Sequence, residues 1–294
     1  MAKIPFFFAF FPLVLSSSVT KAQQVSVYDL KRADFSAKFT NYGATMLSLI
    51  LPDKTGGRRG FSDVIWTVKS YKRDSHVTFS YESFDGEEGF PGNVSVSITY
   101  MMLGTNKLAV KMVAKPLNKP TPVNLALHTY WNLGGHNSGD IMSHTLQLFG
   151  SKIIPVDSEL IPTGKIVPVR GTPYDFLRPR QVGSKFDKLS DGYDINYVLD
   201  KSSPKHLRKV AVVEESKSGR KMELWSNMPG VQFYTSNMLK NEKGKDGAIY
   251  AIHSGLCFET QGFPDAVNHP KFPSQIVNPG EIYRHFMVYR FTAH

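Results

Sequence analysis

Two side chains with complementary proton chemistry stand far apart in this sequence, a carboxyl at Glu259 and an imidazole at His128. Glu259 lies in GLCFETQ, residues 255–261, where apolar and polar character alternate. A period of two describes a β-strand with one face on a core. Leu256, Phe258 and Thr260 share one face, and Gly255, Cys257, Glu259 and Gln261 share the other. The run ends at Gly262, Pro264, Asp265 and Pro270, residues that favour turns. A carboxylate held there and partly buried has its pKa raised toward working pH, as a general base requires. A solvated strand-end glutamate is the plain alternative. Cys257, the one cysteine, is expected to pack as a small buried hydrophobe on the Glu259 face.

His128 stands in NLALHTYWNL, residues 124–133. Leu125, Leu127, Thr129, Trp131 and Leu133 would line one side, with Asn124, Ala126, His128, Tyr130 and Asn132 on the other. A single histidine is commonly structural. A histidine and a glutamate on polar strand faces, with aromatic rings near them, make a candidate acid–base site. His136, His144, His253, His269 and His285 show no metal-ligand spacing and are expected to be structural or superficial. The expectation is a site with no metal and no cofactor.

The elements that must hold these residues are short strands. Alternating runs recur at 28–39, 44–51, 64–68, 77–81, 94–100, 107–115, 144–149, 152–156 and 160–169. They continue at 192–199, 210–215, 221–226, 232–236, 255–260 and 284–292, separated by Gly, Pro, Asn and Asp. Nowhere does helical spacing persist beyond two turns, and one helical turn is expected within 176–186. Many short strands joined by turns predict an all-β fold, a large antiparallel β-sandwich in one domain over 23–294.

Residues 1–22 read differently: Lys3, then an apolar run from Ile4 to Leu15, then small and polar residues to Ala22. That is the pattern of a removable signal peptide, too short for a comfortable membrane span, and it predicts a secreted protein. The net charge of +10 suits an acidic surface, and an acidic cell-wall polysaccharide becomes a partner if the chain is secreted. Scattered basic residues without a binding motif argue against nucleic acid. Asn93-Val94-Ser95 is a sequon, which makes Asn93 a glycosylation candidate.

Several blocks together resemble the aldose 1-epimerase (galactose mutarotase) family. They are YESFDGEEGFPG at 81–92, NLALHTYWNLGGHNSGDIMSH at 124–144 and VDSELIPTGKIVPVRGTPYDF at 156–176. DGYDINYVLD at 191–200, PGVQFYTSN at 229–237 and FETQGFPDAVNHPKFP at 258–273 follow in the family's order. The resemblance runs from about Phe35 to the C-terminus and implies that family's supersandwich and its interconversion of α and β anomers of an aldohexose. It implies Glu259 as base, His128 as acid at the ring oxygen, Asp194 as a ligand of sugar hydroxyls and Gln261 as a secondary contact. One departure stands out. LPDKTGG at 51–57 runs almost directly into RRGFSDVIWTV at 58–68, so an internal segment carrying the family's binding Arg and its Leu-His-Gly-Gly histidine is expected to be absent near 57–60. Arg58 and Arg59 stand at that junction. This leaves an active epimerase and a catalytically impaired carbohydrate-binding form in play. A glycosidase built on Glu259 and Asp194 is a weaker third reading.

Overall fold

The computed structural model describes residues 24–32, 35–44, 60–201 and 204–293. The leader at 1–22, the strand expected over 44–51 except for Ala44, and the junction with Arg58 and Arg59 lie outside the described residues.

Two antiparallel sheets organise the described chain. The larger has nine strands, ordered Arg180–Gln181, Thr145–Leu148, Arg208–Glu215, Arg220–Ser226, Tyr283–Ala293, Lys107–Pro116, Val94–Met102, His76–Ser83 and Thr67–Lys72. The smaller has six, ordered Val167–Pro168, Lys152–Ile154, Asp194–Val198, Gly230–Tyr234, Leu256–Gln261 and Tyr130–Trp131. Alternation builds the core between them. Val96, Val110, Met112, Leu224, Met287 and Tyr289 come from the larger sheet and Ile195, Tyr197, Val231, Phe233, Leu256 and Phe258 from the smaller, all in one buried cluster. Two sheets sharing a core in this way form a sandwich, as the strand pattern predicts.

The long strands fall close to their expected bounds, and several shorter segments differ, among them the run at 64–68, whose strand is Thr67–Lys72. The run at 28–39 is two strands, Val27–Arg32 and Phe35–Thr40, paired with Arg32 opposite Phe35. Exposed Lys31 and Arg32 end the first of them. The run at 160–169 contributes only Val167–Pro168 to a sheet. Pro162 and Gly164, the latter at φ +75°, break the rest. The helical turn appears late, as a short 3-10 segment at Val182–Lys188.

One further difference bears on the site. Of residues 124–133, only Tyr130–Trp131 enters a ladder, at the edge of the smaller sheet beside Leu256–Gln261. Backbone groups upstream are held by side chains instead. Leu125 N–H donates to the Tyr283 hydroxyl at 3.3 Å, and the Leu125 carbonyl accepts from His285 Nδ1 at 3.1 Å. Gly262 N–H donates to Asn124 Oδ1 at 2.8 Å. Burial still alternates, with Leu127 and Thr129 inside and His128 outside. The expected faces hold although the expected ladder does not.

Candidate active site

The site is built on the face of the smaller sheet that points away from the shared core. Register sets its composition. Asp194 pairs with Tyr234, which pairs with Cys257, which pairs with Tyr130. One row along, Asn196 pairs with Gln232, which pairs with Glu259. The opposite faces of these strands carry Ile195, Tyr197, Val231, Phe233 and Phe258 in the core. Phe233 and Phe258 stack at 5.4 Å between centroids, with Tyr193 on Phe233 at 5.1 Å. Such ring pairs each add about 0.5–1.5 kcal/mol beyond their buried area, and here they stiffen the strands that carry the polar face.

Glu259 and His128, 131 positions apart in the sequence, meet on this face. His128 Nε2 lies 3.4 Å from Glu259 Oε1; the Glu259 side chain is 13% exposed and that of His128 50%. The imidazole stacks on Tyr130 at 5.0 Å and meets the edge of Tyr234 at 6.0 Å. Burial, reinforced by the charge of Asp194, pushes the Glu259 carboxyl up to about 8. Burial against the two rings lowers the His128 imidazole, outweighing the opposing pull of its own backbone carbonyl and of Asp194. Both shifts disfavour charge, which favours a protonated Glu259 beside a neutral His128. A carboxyl and an imidazole this close, the carboxyl raised into the neutral range and the imidazole biased toward its neutral form, are suited to passing a proton between them and a bound hydroxylated ligand.

Asp194 opens its strand on the same face, and its Oδ1 accepts from Gln232 Nε2 at 2.7 Å. Gln261 is more remote: its amide donates to Asn196 Oδ1 at 3.4 Å. That contact crosses over Gly230, where a Cβ would come within 2.9 Å of Asn196 Oδ1. Residues 262–272 then fold back beside the strand end, with Phe263 and Phe272 packed edge to face at 5.3 Å. Val198 packs against that small cluster.

Tyr130 joins this face as alternation predicts, whereas the sequence alone does not bring Asn196, Gln232 and Tyr234 to it. Alternation in Gly230–Tyr234 separates Gln232 and Tyr234 from Val231 and Phe233, but only the register shows which strands adjoin. Cys257 is fully buried on the Glu259 face, as expected, and its thiol is held well above its usual range by burial and by the charges of Glu259 and Asp194. The five other expected histidines engage the fold. Examples are His136 Nδ1 with the Tyr250 hydroxyl at 3.1 Å and His269 Nε2 with the Pro162 carbonyl at 3.0 Å. Asn93 is exposed at the start of its strand, and its Oδ1 accepts from Asp85 N–H at 2.7 Å.

A two-sheet sandwich thus carries a carboxyl and an imidazole in contact on the outer face of one sheet, and comparison with known proteins shows the class to which it belongs. A sequence model of the family described as aldose 1-epimerase matches residues 54–290, starting beyond the Phe35 at which the motifs suggest a beginning. Human galactose mutarotase is 43% identical over 240 residues, covering 81% of this chain and 68% of that protein. Aldose 1-epimerase of Escherichia coli (strain K12) is 32% identical over 246 residues, covering 81% and 70%. Among solved structures, an aldose epimerase homologue from C. elegans superposes with a TM-score of 0.81 at 22% identity, over 92% of this chain and 99% of that one. The chain belongs to the aldose 1-epimerase family.

Proposed function

We propose that this chain is a mutarotase, interconverting the α and β anomers of an aldohexose such as glucose or galactose. The observation that carries the reading is the 3.4 Å approach of His128 Nε2 to Glu259 Oε1 beside Asp194 on an outward sheet face. Glu259 as carboxylate takes the proton of the C1 hydroxyl while His128 as imidazolium protonates the ring oxygen, and the C1–O bond breaks. The open-chain aldehyde turns about C1–C2, and closure with the roles reversed gives the other anomer. Before the first step the proton stored on Glu259 must pass to His128. Sugar hydroxyls donating to the carboxylate favour that transfer, because hydrogen bonds to the charged form lower its pKa. Asp194 binds sugar hydroxyls, and Gln261 contributes at the strand end through Asn196. The partner of Glu259 across the gap is an imidazole and not a second carboxylate, which favours proton relay over glycoside hydrolysis.

The test is polarimetry on freshly dissolved α-glucose and α-galactose. The chain should bring the rotation to equilibrium faster than buffer alone. A rate equal to the spontaneous one overturns the enzymatic reading. Sugar binding without acceleration would instead favour the impaired form, in which loss of an internal segment removes grips on the sugar while the acid–base pair remains.

A further inference from the structure

Cys257 is the member of the site face for which proton relay has no use. It lies two residues before Glu259 on one strand, so both side chains leave the same face, and His128 approaches from the neighbouring segment. One ligand atom from each of His128, Cys257 and Glu259 lies within 4.8 Å of the other two. Among the described residues this is the group of nitrogen, sulfur and oxygen donors close enough together to share one ion.

We propose that His128, Cys257 and Glu259 form a site for a thiophilic divalent cation, zinc in the first instance, which binds in competition with sugar. Metal–ligand bonds of about 2.0–2.3 Å in a tetrahedron set the donor atoms roughly 3.3–3.8 Å apart. His128 Nε2 and Glu259 Oε1, at 3.4 Å, already have that separation. The sulfur has to close by at most about an ångström to complete a three-ligand tetrahedral set. A nitrogen, a thiolate and a carboxylate select zinc or cadmium over magnesium or calcium, which prefer oxygen alone. Binding releases the thiol proton of Cys257 and the carboxyl proton of Glu259 to solvent. A dication with two anionic ligands and a neutral imidazole then adds no net charge to a partly buried pocket. Asp194 contributes further negative potential, since its charge acts on all three residues. The half-exposed flank of His128 leaves the fourth position open to water.

The bound ion takes the lone pairs that proton transfer needs, so zinc should inhibit mutarotation reversibly. That consequence rests on the function proposed above; the binding does not. The test therefore reads binding first, with cobalt as probe. Metal-free protein titrated with Co²⁺ should develop a thiolate-to-cobalt charge-transfer band that saturates at one equivalent and is bleached by Zn²⁺. Cys257→Ala should abolish the band. His128→Ala, at a half-exposed position where folding is little disturbed, should weaken Zn²⁺ binding at least about tenfold, judged by the scale seen for perturbed metal sites. Absence of a sulfur band in the folded wild-type protein, or equal Zn²⁺ affinity in wild type and both variants, overturns the site. In the mutarotation assay, Zn²⁺ should inhibit wild type, a chelator should restore it, and Cys257→Ala should resist. A sulfur band without zinc inhibition would uphold the site and count against the acid–base assignment.

Discussion

The two faces of the strand Leu256–Gln261 each set a polar residue against a histidine, with opposite outcomes. On the core face, the Thr260 hydroxyl meets His285 Nε2 at 2.7 Å. His285 Nδ1 donates to the Leu125 carbonyl at 3.1 Å, so Nε2 accepts from Thr260 and the tautomer is fixed. Both residues are fully buried, and burial takes the imidazole down to about 4, which keeps it neutral. On the outer face, Glu259 and His128 stand at 3.4 Å, the histidine half open to solvent and the carboxyl raised to about 8. The first pair is satisfied and closed and serves to lock the two sheets together. The second is open and has proton sites to spare. Satisfaction and access, more than proximity to a histidine, separate a structural pair from a chemical one.

Exchanging the roles of the two faces gives the largest expected effect. Glu259→Gln removes the base and should lower kcat about 10²-fold or more, with KM changed far less. Its thermal midpoint should be unchanged or higher. The folded-state pKa of Glu259 is raised from 4.5 to about 8, so the folded chain keeps a proton that the unfolded chain releases. The linked stability is present at low pH and is lost as pH rises through about 8, and the glutamine variant escapes that loss. Thr260→Val should do the reverse. It leaves His285 Nε2 buried without a partner, a destabilisation of about 1–3 kcal/mol, while kcat stays near wild type. Parallel melts and initial-rate polarimetry check both. A stable Thr260→Val with lost activity, or an active Glu259→Gln, would erase the distinction between the faces.

A smaller effect sharpens the same contrast through pH. The relay needs one proton on the Glu259–His128 pair, so background-corrected kcat/KM should be bell-shaped. Its alkaline limb should lie near pH 8, where the pair gives up its proton, and its acid limb should lie below the ordinary histidine range because His128 is lowered. The His285 pair, neutral throughout that range, should leave no mark on the profile. A flat profile from pH 5 to 9, roughly the span over which such groups titrate, would contradict the single-proton assignment.

The two faces also differ in how much of them can be read in the sequence. Leu256, Phe258 and Thr260 against Cys257, Glu259 and Gln261 follow from alternation alone, because a strand with one buried face has no other period. The same logic finds the long strands around Val96 and Met112. It does not find Gln232, Tyr234 and Asn196 as neighbours of Glu259. Those contacts join strands at 194–198, 230–234 and 256–261, and only the register of their pairing reveals them. The segment bearing His128 keeps the expected faces without the expected ladder, because Tyr283, His285 and Gly262, all more than a hundred residues on, hold it in place. Non-local anchoring of that kind leaves no local pattern to recognise. Cys257 was legible as buried, yet its place beside His128 depends on the pairing of Cys257 with Tyr130.

The central claim is that Glu259 and His128 act as one proton-transferring unit. A double-mutant cycle in kcat/KM on α-galactose tests it most directly, using wild type, Glu259→Gln, His128→Gln and the double variant. The single losses should each be about 10²-fold or more, and the double variant should be little worse than the poorer single one, because either change already disables the unit. Losses that multiply, with the double variant falling by the product of the two single effects, would show that the residues act independently.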